Sequence, residues 1–237
     1  MCTLSILKKE LSAQENPEKA KILQRFFKTG AGEYGEGDVF LGVAVPHVRK
    51  IAKKYNELAL LDIVDLLHSK IHEERLASLL IMVDKFQKGK EKEAVYRTYL
   101  QNTKYINSWD LVDLSAYKIV GEYLSGKPKA ILYQLARSKM LWERRIAIIA
   151  TFSFIKNNQF EETFAIARIL VDDEHDLIQK AVGWMLREIG KRDYKAEEEF
   201  LDKYADKMAR TTLRYAIEKF PEEKRKHYLA RGFYNRK

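Results

Sequence analysis

Ile71-His72-Glu-Glu-Arg75-Leu76-Ala77-Ser-Leu79-Leu80-Ile-Met-Val83-Asp-Lys-Phe86-Gln-Lys88 is the stretch whose reading decides the fold class. Leu76, Leu79, Leu80, Val83 and Phe86 recur at threes and fours, the period that gathers apolar side chains on one face of an α-helix. Outward from it the same period returns in Leu111, Val112, Ala116, Ile119, Val120 and Tyr123, and again in Ile178, Ala181, Val182, Met185, Leu186 and Ile189. Strict alternation over the length of a strand is hard to find. Asn16-Pro17, Val45-Pro46, Lys127-Pro128 and Phe220-Pro221 each precede a helical pattern, where the missing proline N–H costs nothing. The chain reads as all-α, with roughly twelve to fourteen short helices and no sheet.

Helices this short and this many suggest a repeat. Five of them align on a polar residue followed two positions later by a small one: Arg75 and Ala77, Asp113 and Ser115, Arg145 and Ala147, Gln179 and Ala181, Arg214 and Ala216. Successive members fall about 35 residues apart, with another amphipathic helix between them, the arrangement of an α-solenoid built from HEAT-like helix pairs. A single repeat domain over residues 1–237 is the expectation. In such a stack Arg75, Asp113, Arg145, Gln179 and Arg214 would form a polar ladder along a groove, with Trp109, Trp142 and Trp184 beside it.

The 237 residues are 46% hydrophobic, enough for a sizeable core, and 11 glycines with four prolines exclude collagen-like and linker-rich classes. No uncharged run exceeds ten residues, half of a membrane span, and MCTLSILKKEL turns charged by Lys8, so neither a transmembrane helix nor a cleaved secretory signal is expected. Cys2 is the only cysteine, which fits the cytoplasm. Lysines and arginines number 43 against 34 acidic residues, a net charge of +9. That suits a polyanionic partner, or simply a basic soluble chain.

Several local patterns carry competing readings. Trp109 and Asp113 stand at i and i+4, on one helix face. They suit an indole and a carboxylate serving one ligand, or a helix start with Asn107 or Ser108 as cap and Trp109 in the core. Arg145 follows Asp113 in the repeat, either as an ion-pair partner joining repeats or as a phosphate clamp. Gly183 in mid-helix implies close approach by a neighbouring helix or a ligand. Gly30-Ala-Gly32-Glu33-Tyr-Gly35 matches G-x-G-x-x-G, but no strand precedes it and Glu33 and Glu36 would repel a pyrophosphate. It reads as a flexible connection. His68 and His72 lie four apart without the adjacent glutamate of a zinc helix, and no metal is expected. Basic clusters are Lys50, Lys53 and Lys54; Lys88, Lys90 and Lys92; Arg187, Lys191 and Arg192; Lys224 to Lys226; and Arg231, Arg236 and Lys237.

Over most of its length the chain resembles the AlkD-type alkylpurine DNA glycosylases of the DNA alkylation repair family. The resemblance lies in Asn16-Pro17-Glu-Lys-Ala, Phe40-Leu-Gly-Val-Ala-Val-Pro46-His-Val-Arg49, Ser108-Trp109-Asp-Leu-Val-Asp113, Trp142-Glu-Arg-Arg145, Gln179-Lys-Ala-Val-Gly183-Trp184-Met-Leu-Arg187-Glu188 and Leu213-Arg-Tyr-Ala-Ile217-Glu-Lys-Phe. It implies a monomeric HEAT-like solenoid that holds double-stranded DNA and excises N3- and N7-alkylated purines with no metal or cofactor. It implies that Trp109 and Trp184 flank the lesion sugar, Asp113 is the catalytic carboxylate and Arg145 contacts a phosphate. Arg187, Arg214 and Lys180 are implied DNA contacts. Two departures stand out: the Gly30–Asp38 loop, and Ala44-Val45 in place of polar residues. They leave open a relative that binds distorted or branched DNA without excision, and a helical array without DNA leaves a third possibility, a protein scaffold.

Overall fold

The computed structural model describes residues 3–89 and 91–234, with side chains through Arg231; Cys2, Lys90, Arg236 and Lys237 lie outside them. The chain is all-α, of the α-solenoid class, and divides into two compact units, residues 1–123 and 124–237. The first unit holds α1 (Thr3–Ser12), α2 (Pro17–Phe26), α3 (Val45–Lys54), α4 (Leu60–Leu67), α5 (His72–Gln87), α6 (Lys92–Gln101) and α7 (Trp109–Ala116). A π-helical turn, Tyr117–Gly121, continues α7. The second unit holds α8 (Ala130–Ala136), α9 (Leu141–Ala150) and its one-turn continuation α10 (Phe152–Ile155), α11 (Glu161–Ile169), α12 (Asp176–Gly190), α13 (Tyr194–Tyr204), α14 (Arg210–Ala216) and α15 (Glu222–Tyr234). No described helix is long and apolar enough to cross a membrane.

Helix starts follow the local chemistry. Asn16 Oδ1 accepts the Lys19 amide at 2.9 Å ahead of Pro17, and Asp193 Oδ1 accepts the Ala196 amide at 2.9 Å. The small residues of the repeat register, Ala77, Ser115, Ala147, Ala181 and Ala216, are all fully buried. They sit where helices meet: α5 packs on α7 in the first unit, and α12 packs on α9 and α14 in the second.

The polar members of the same register do not form a ladder. Arg75 and Arg145 are buried, Asp113 and Gln179 are half-buried, and Arg214 is exposed. Arg75 and Gln179 instead turn back and donate to carbonyls six residues upstream, Ser69 O at 2.8 Å and Asp173 O at 2.9 Å. They close the loop that enters their own helix.

Helix α5 also departs from its one-faced pattern. It is buried nearly all round, Glu73, Glu74, Arg75, Ser78 and Lys85 included. Leu80, from the expected apolar stripe, belongs instead to the accessible strip with Asp84 and Gln87. A helix packed against α3, α4, α6 and α7 keeps only that narrow strip for solvent, so the charges on its other sides need partners within the protein.

Candidate active site

The first turn of α7 is held from below by charge. Asp38 and Asp110 bracket the His72 ring, with Asp110 Oδ2 2.9 Å from Nε2 and Asp38 Oδ2 3.4 Å from Nδ1. Arg75 also pairs with Asp38, whose other oxygen accepts from Asn107 Nδ2 at 3.1 Å. Burial pushes the His72 pKa down, but the two carboxylates outweigh it and the net shift is upward. Both ring nitrogens face acceptors, so the imidazolium satisfies both at once. For Asp110 burial pushes upward, and the hydrogen bond and charge of His72 carry the pKa below its ordinary value.

Aromatic rings continue the support. The His72 ring stacks on Phe40 at 4.4 Å, Phe40 stacks on Phe27 at 5.0 Å, and Phe27 stacks on Trp109 at 5.3 Å and 11°. Phe26 meets Trp109 edge-on at 6.0 Å. Trp109 is half-buried: Phe27 backs one face without sealing the indole into the core. One turn on, Asp113 shares the accessible side of α7 and is also half-buried. Its negative charge adds to burial in raising the pKa of the fully buried Tyr99, which hydrogen-bonds Ser115 at 3.0 Å.

The Gly30–Asp38 connection is tied down rather than loose. Glu33 accepts the Gly30 amide and Glu36 the Gly32 amide, each at 2.9 Å, so the amides that a phosphate would need are taken by the loop's own carboxylates. Its last residue is the buried Asp38. Val39 forms a parallel bridge with Ile71, after which the Glu73 carboxylate gathers three successive amides, Leu41, Gly42 and Val43, at 3.0, 2.8 and 3.2 Å. Gly42 has φ +82°, and a Cβ there would lie 2.2 Å from Asn16 O. His68 and His72 do not share a helix: His68 follows α4 and meets Asn102 at 2.7 Å.

In the second unit, α12 carries Trp184, half-buried, its indole N–H donating to Glu188 Oε1 at 3.1 Å. The close approach at Gly183 is by a helix: an added Cβ would lie 2.4 Å from Thr212 O and 2.5 Å from Tyr215 Cβ on α14. Arg145 is buried, its guanidinium donating to Leu177 O. Trp142, 7% exposed, belongs to the core.

The model of the DNA alkylation repair enzyme family matches residues 7–220. The chain belongs to that family. Among solved structures, it is similar to one described as a predicted DNA alkylation repair enzyme from Enterococcus faecalis, at 18% identity and TM-score 0.70, covering 88% of this chain and 98% of that one. No curated protein matches it.

In this DNA alkylation repair family member the remaining residues named from sequence have visible neighbours. Arg187 pairs with Glu218, and Lys180 with Asp176 at 2.9 Å. Arg214 is exposed. Neither Asn107 nor Ser108 caps α7 through its side chain: Ser108 occupies the cap position without that bond, and Asn107 is committed to Asp38. The sequence reading missed His72, Asp38 and Asp110 as a unit. Only the nearness of Asp110 to Trp109 signalled it, because Asp38 and His72 stand 34 residues apart. Among the described residues no group of three or more His, Cys, Asp or Glu is placed to hold a metal ion.

Proposed function

We propose that the chain is a monofunctional DNA glycosylase that hydrolyses the N-glycosidic bond of cationic N3- or N7-alkylated purines in duplex DNA, acting as a cytoplasmic monomer without metal or cofactor. One observation carries the reading: an indole and a carboxylate one turn apart on the accessible side of α7, that helix start being fixed by a buried charge network. The alkylated purine is already positive, so it leaves with the bonding electron pair as a neutral base and needs no strong general acid. The sugar carbon becomes oxocarbenium-like. Asp113 stabilises that charge and orients the water whose oxygen bonds to the carbon as its proton passes to solvent, while the indole face of Trp109 favours the cation. Trp184 packing on the sugar, Arg145 contacting phosphate, and Arg187, Arg214 and Lys180 contacting DNA complete the proposal.

The burial of Arg145 against Leu177 O favours a second reading, a relative that binds distorted or branched DNA without excision. Base release from a 7-methylguanine duplex separates the two. Asp113→Asn is expected to slow release by about a hundredfold or more while duplex affinity is retained. Release at the parent rate would remove Asp113 from the chemistry, and binding without release by the parent would select the second reading.

A further inference from the structure

On the accessible side of α12, Lys180, Trp184, Arg187 and Lys191 recur at fours and threes, an indole among three cations. Each cation already has an acid. Lys180 and Lys191 take theirs from α12 itself, Asp176 at 2.9 Å and Glu188 at 2.6 Å. Arg187 takes Glu218, 31 residues further on, from the 3-10 turn that follows α14. We propose that Glu218 stands in for a DNA phosphate on Arg187, an internal anion that the duplex backbone must displace, and so acts as a brake on DNA binding. The inference rests on the reading of Arg187 as a DNA contact and adds to it what regulates that contact.

Packing keeps Arg187 from other anions. It lies on one face of α12 between Gly183 and Gly190, four residues after the first and three before the second. A Cβ at Gly183 would meet Thr212 O, and one at Gly190 would meet Glu197 Oε2, so α14 closes on one side and α13 on the other. The carboxyl that α13 brings in does not serve as counter-ion. Glu197 is 2% exposed and its Oε1 has no hydrogen-bond partner among the described residues. Burial raises its pKa to about 9 against the pull of Arg187, so near neutral pH it keeps its proton. The charge of Arg187 is left to Glu218.

That pair is arranged for exchange. The Arg187 side chain is 17% exposed and that of Glu218 47%. Glu218 Oε1 already lies 2.9 Å from Lys219 Nζ, so the carboxylate has a second cation to turn to when Arg187 leaves it. Ion pairs this open to water are weak, whereas a phosphate offers the guanidinium fork two strong acceptors. Trp184, three residues before Arg187 on the same stripe, sets the exchange beside the sugar on which the indole is proposed to pack.

The test measures duplex affinity across a salt series for the parent, Glu218→Gln, Arg187→Gln and the double variant, on unmodified and 7-methylguanine duplexes. Glu218→Gln is expected to bind both duplexes about three- to fivefold more tightly, with a log–log salt slope steeper by about one. Glu222→Gln removes an equal charge four residues on and should leave affinity near that of the parent. In the Arg187→Gln background Glu218→Gln should do no more than Glu222→Gln does, the non-additivity of two groups acting through one contact. Arg187→Lys restores the cation and should restore the gain. No gain from Glu218→Gln overturns the proposal. So does an equal gain without Arg187 or from Glu222→Gln, because the cause would then be the general field of one acid fewer. A gain that lysine does not restore belongs to packing and overturns it too. If Arg187→Gln alone binds like the parent, Arg187 is no DNA contact and the reading beneath the proposal fails with it. If the exchange is seen but the parent releases no base, the brake stands and the glycosylase reading fails.

Discussion

Trp109 and Trp184 are held by different physics. Trp184 is held by neutral packing and one local hydrogen bond: Glu188 four residues on takes its N–H, the Phe152 ring of α10 lies at 6.2 Å, and Gly183 beside it lets the backbone of α14 come close. Trp109 rests on Phe27, Phe40 and His72, and His72 in turn on Asp38 and Asp110, groups brought in from separate stretches of chain. A platform held by neutral packing does not depend on the charge state of distant groups. A platform built on buried charge is rigid only while every charge has its partner.

The strongest way to break this contrast is His72→Ala. It leaves Asp38 and Asp110 buried without their shared cation, and about 3–5 kcal/mol of stability should go. Denaturant unfolding and Trp fluorescence would report it. The pH trend gives an independent check. Because the folded pKa of His72 is raised, its contribution is complete below the ordinary histidine range and lost as pH climbs through the raised value. Parent stability should decline over that interval, and the variant should lack the decline. If removing His72 costs nothing, the charge network does not hold α7.

Next in size is Gly183→Ala, which drives a Cβ against Thr212 O and the Tyr215 side chain on α14. Backbone cannot move aside as a flexible side chain can, so a loss of about 2–3 kcal/mol is expected in thermal or chemical unfolding. A neutral result would mean that α12 and α14 can separate without cost.

The smallest effect sharpens the comparison by adding stability. Burial raises the pKa of Glu197 to about 9, against a downward pull from Arg187. Near pH 5.5 the folded chain must hold a proton there that the unfolded chain has largely released. Glu197→Gln removes that demand and should stabilise by about 1–2 kcal/mol at pH 5.5. The gain should shrink to nothing as pH falls towards the ordinary glutamate value of 4.5. A gain that did not depend on pH would point to packing instead.

What the sequence made legible follows the same division. The apolar stripe of α12 from Ile178 to Ile189 is buried as its period required, and the small residues of the repeat all lie at helix contacts. Gly183 announced a close approach, and α14 makes it. These are local consequences of helical geometry. The reading of Arg75 as a groove residue failed because periodicity gives the face of a helix but not what the distant chain places against it. Here that is Asp38, 37 residues earlier. The Gly30–Asp38 segment was read as flexible for the same reason: glycine content reports freedom in an isolated chain, not the carboxylates and amides that close it. Trp109 and Asp113 were visible as a pair, but the support beneath them was not.

Glu73 carries a consequence for the order of assembly. The amides of Leu41, Gly42 and Val43 find their acceptor 30 to 32 residues further along the chain. While the polypeptide is being made, the bend that leads into α3 has no acceptor until the first turn of α5 has emerged. The bend ahead of α3 is therefore closed from further along the chain, by a single carboxylate in the first turn of α5.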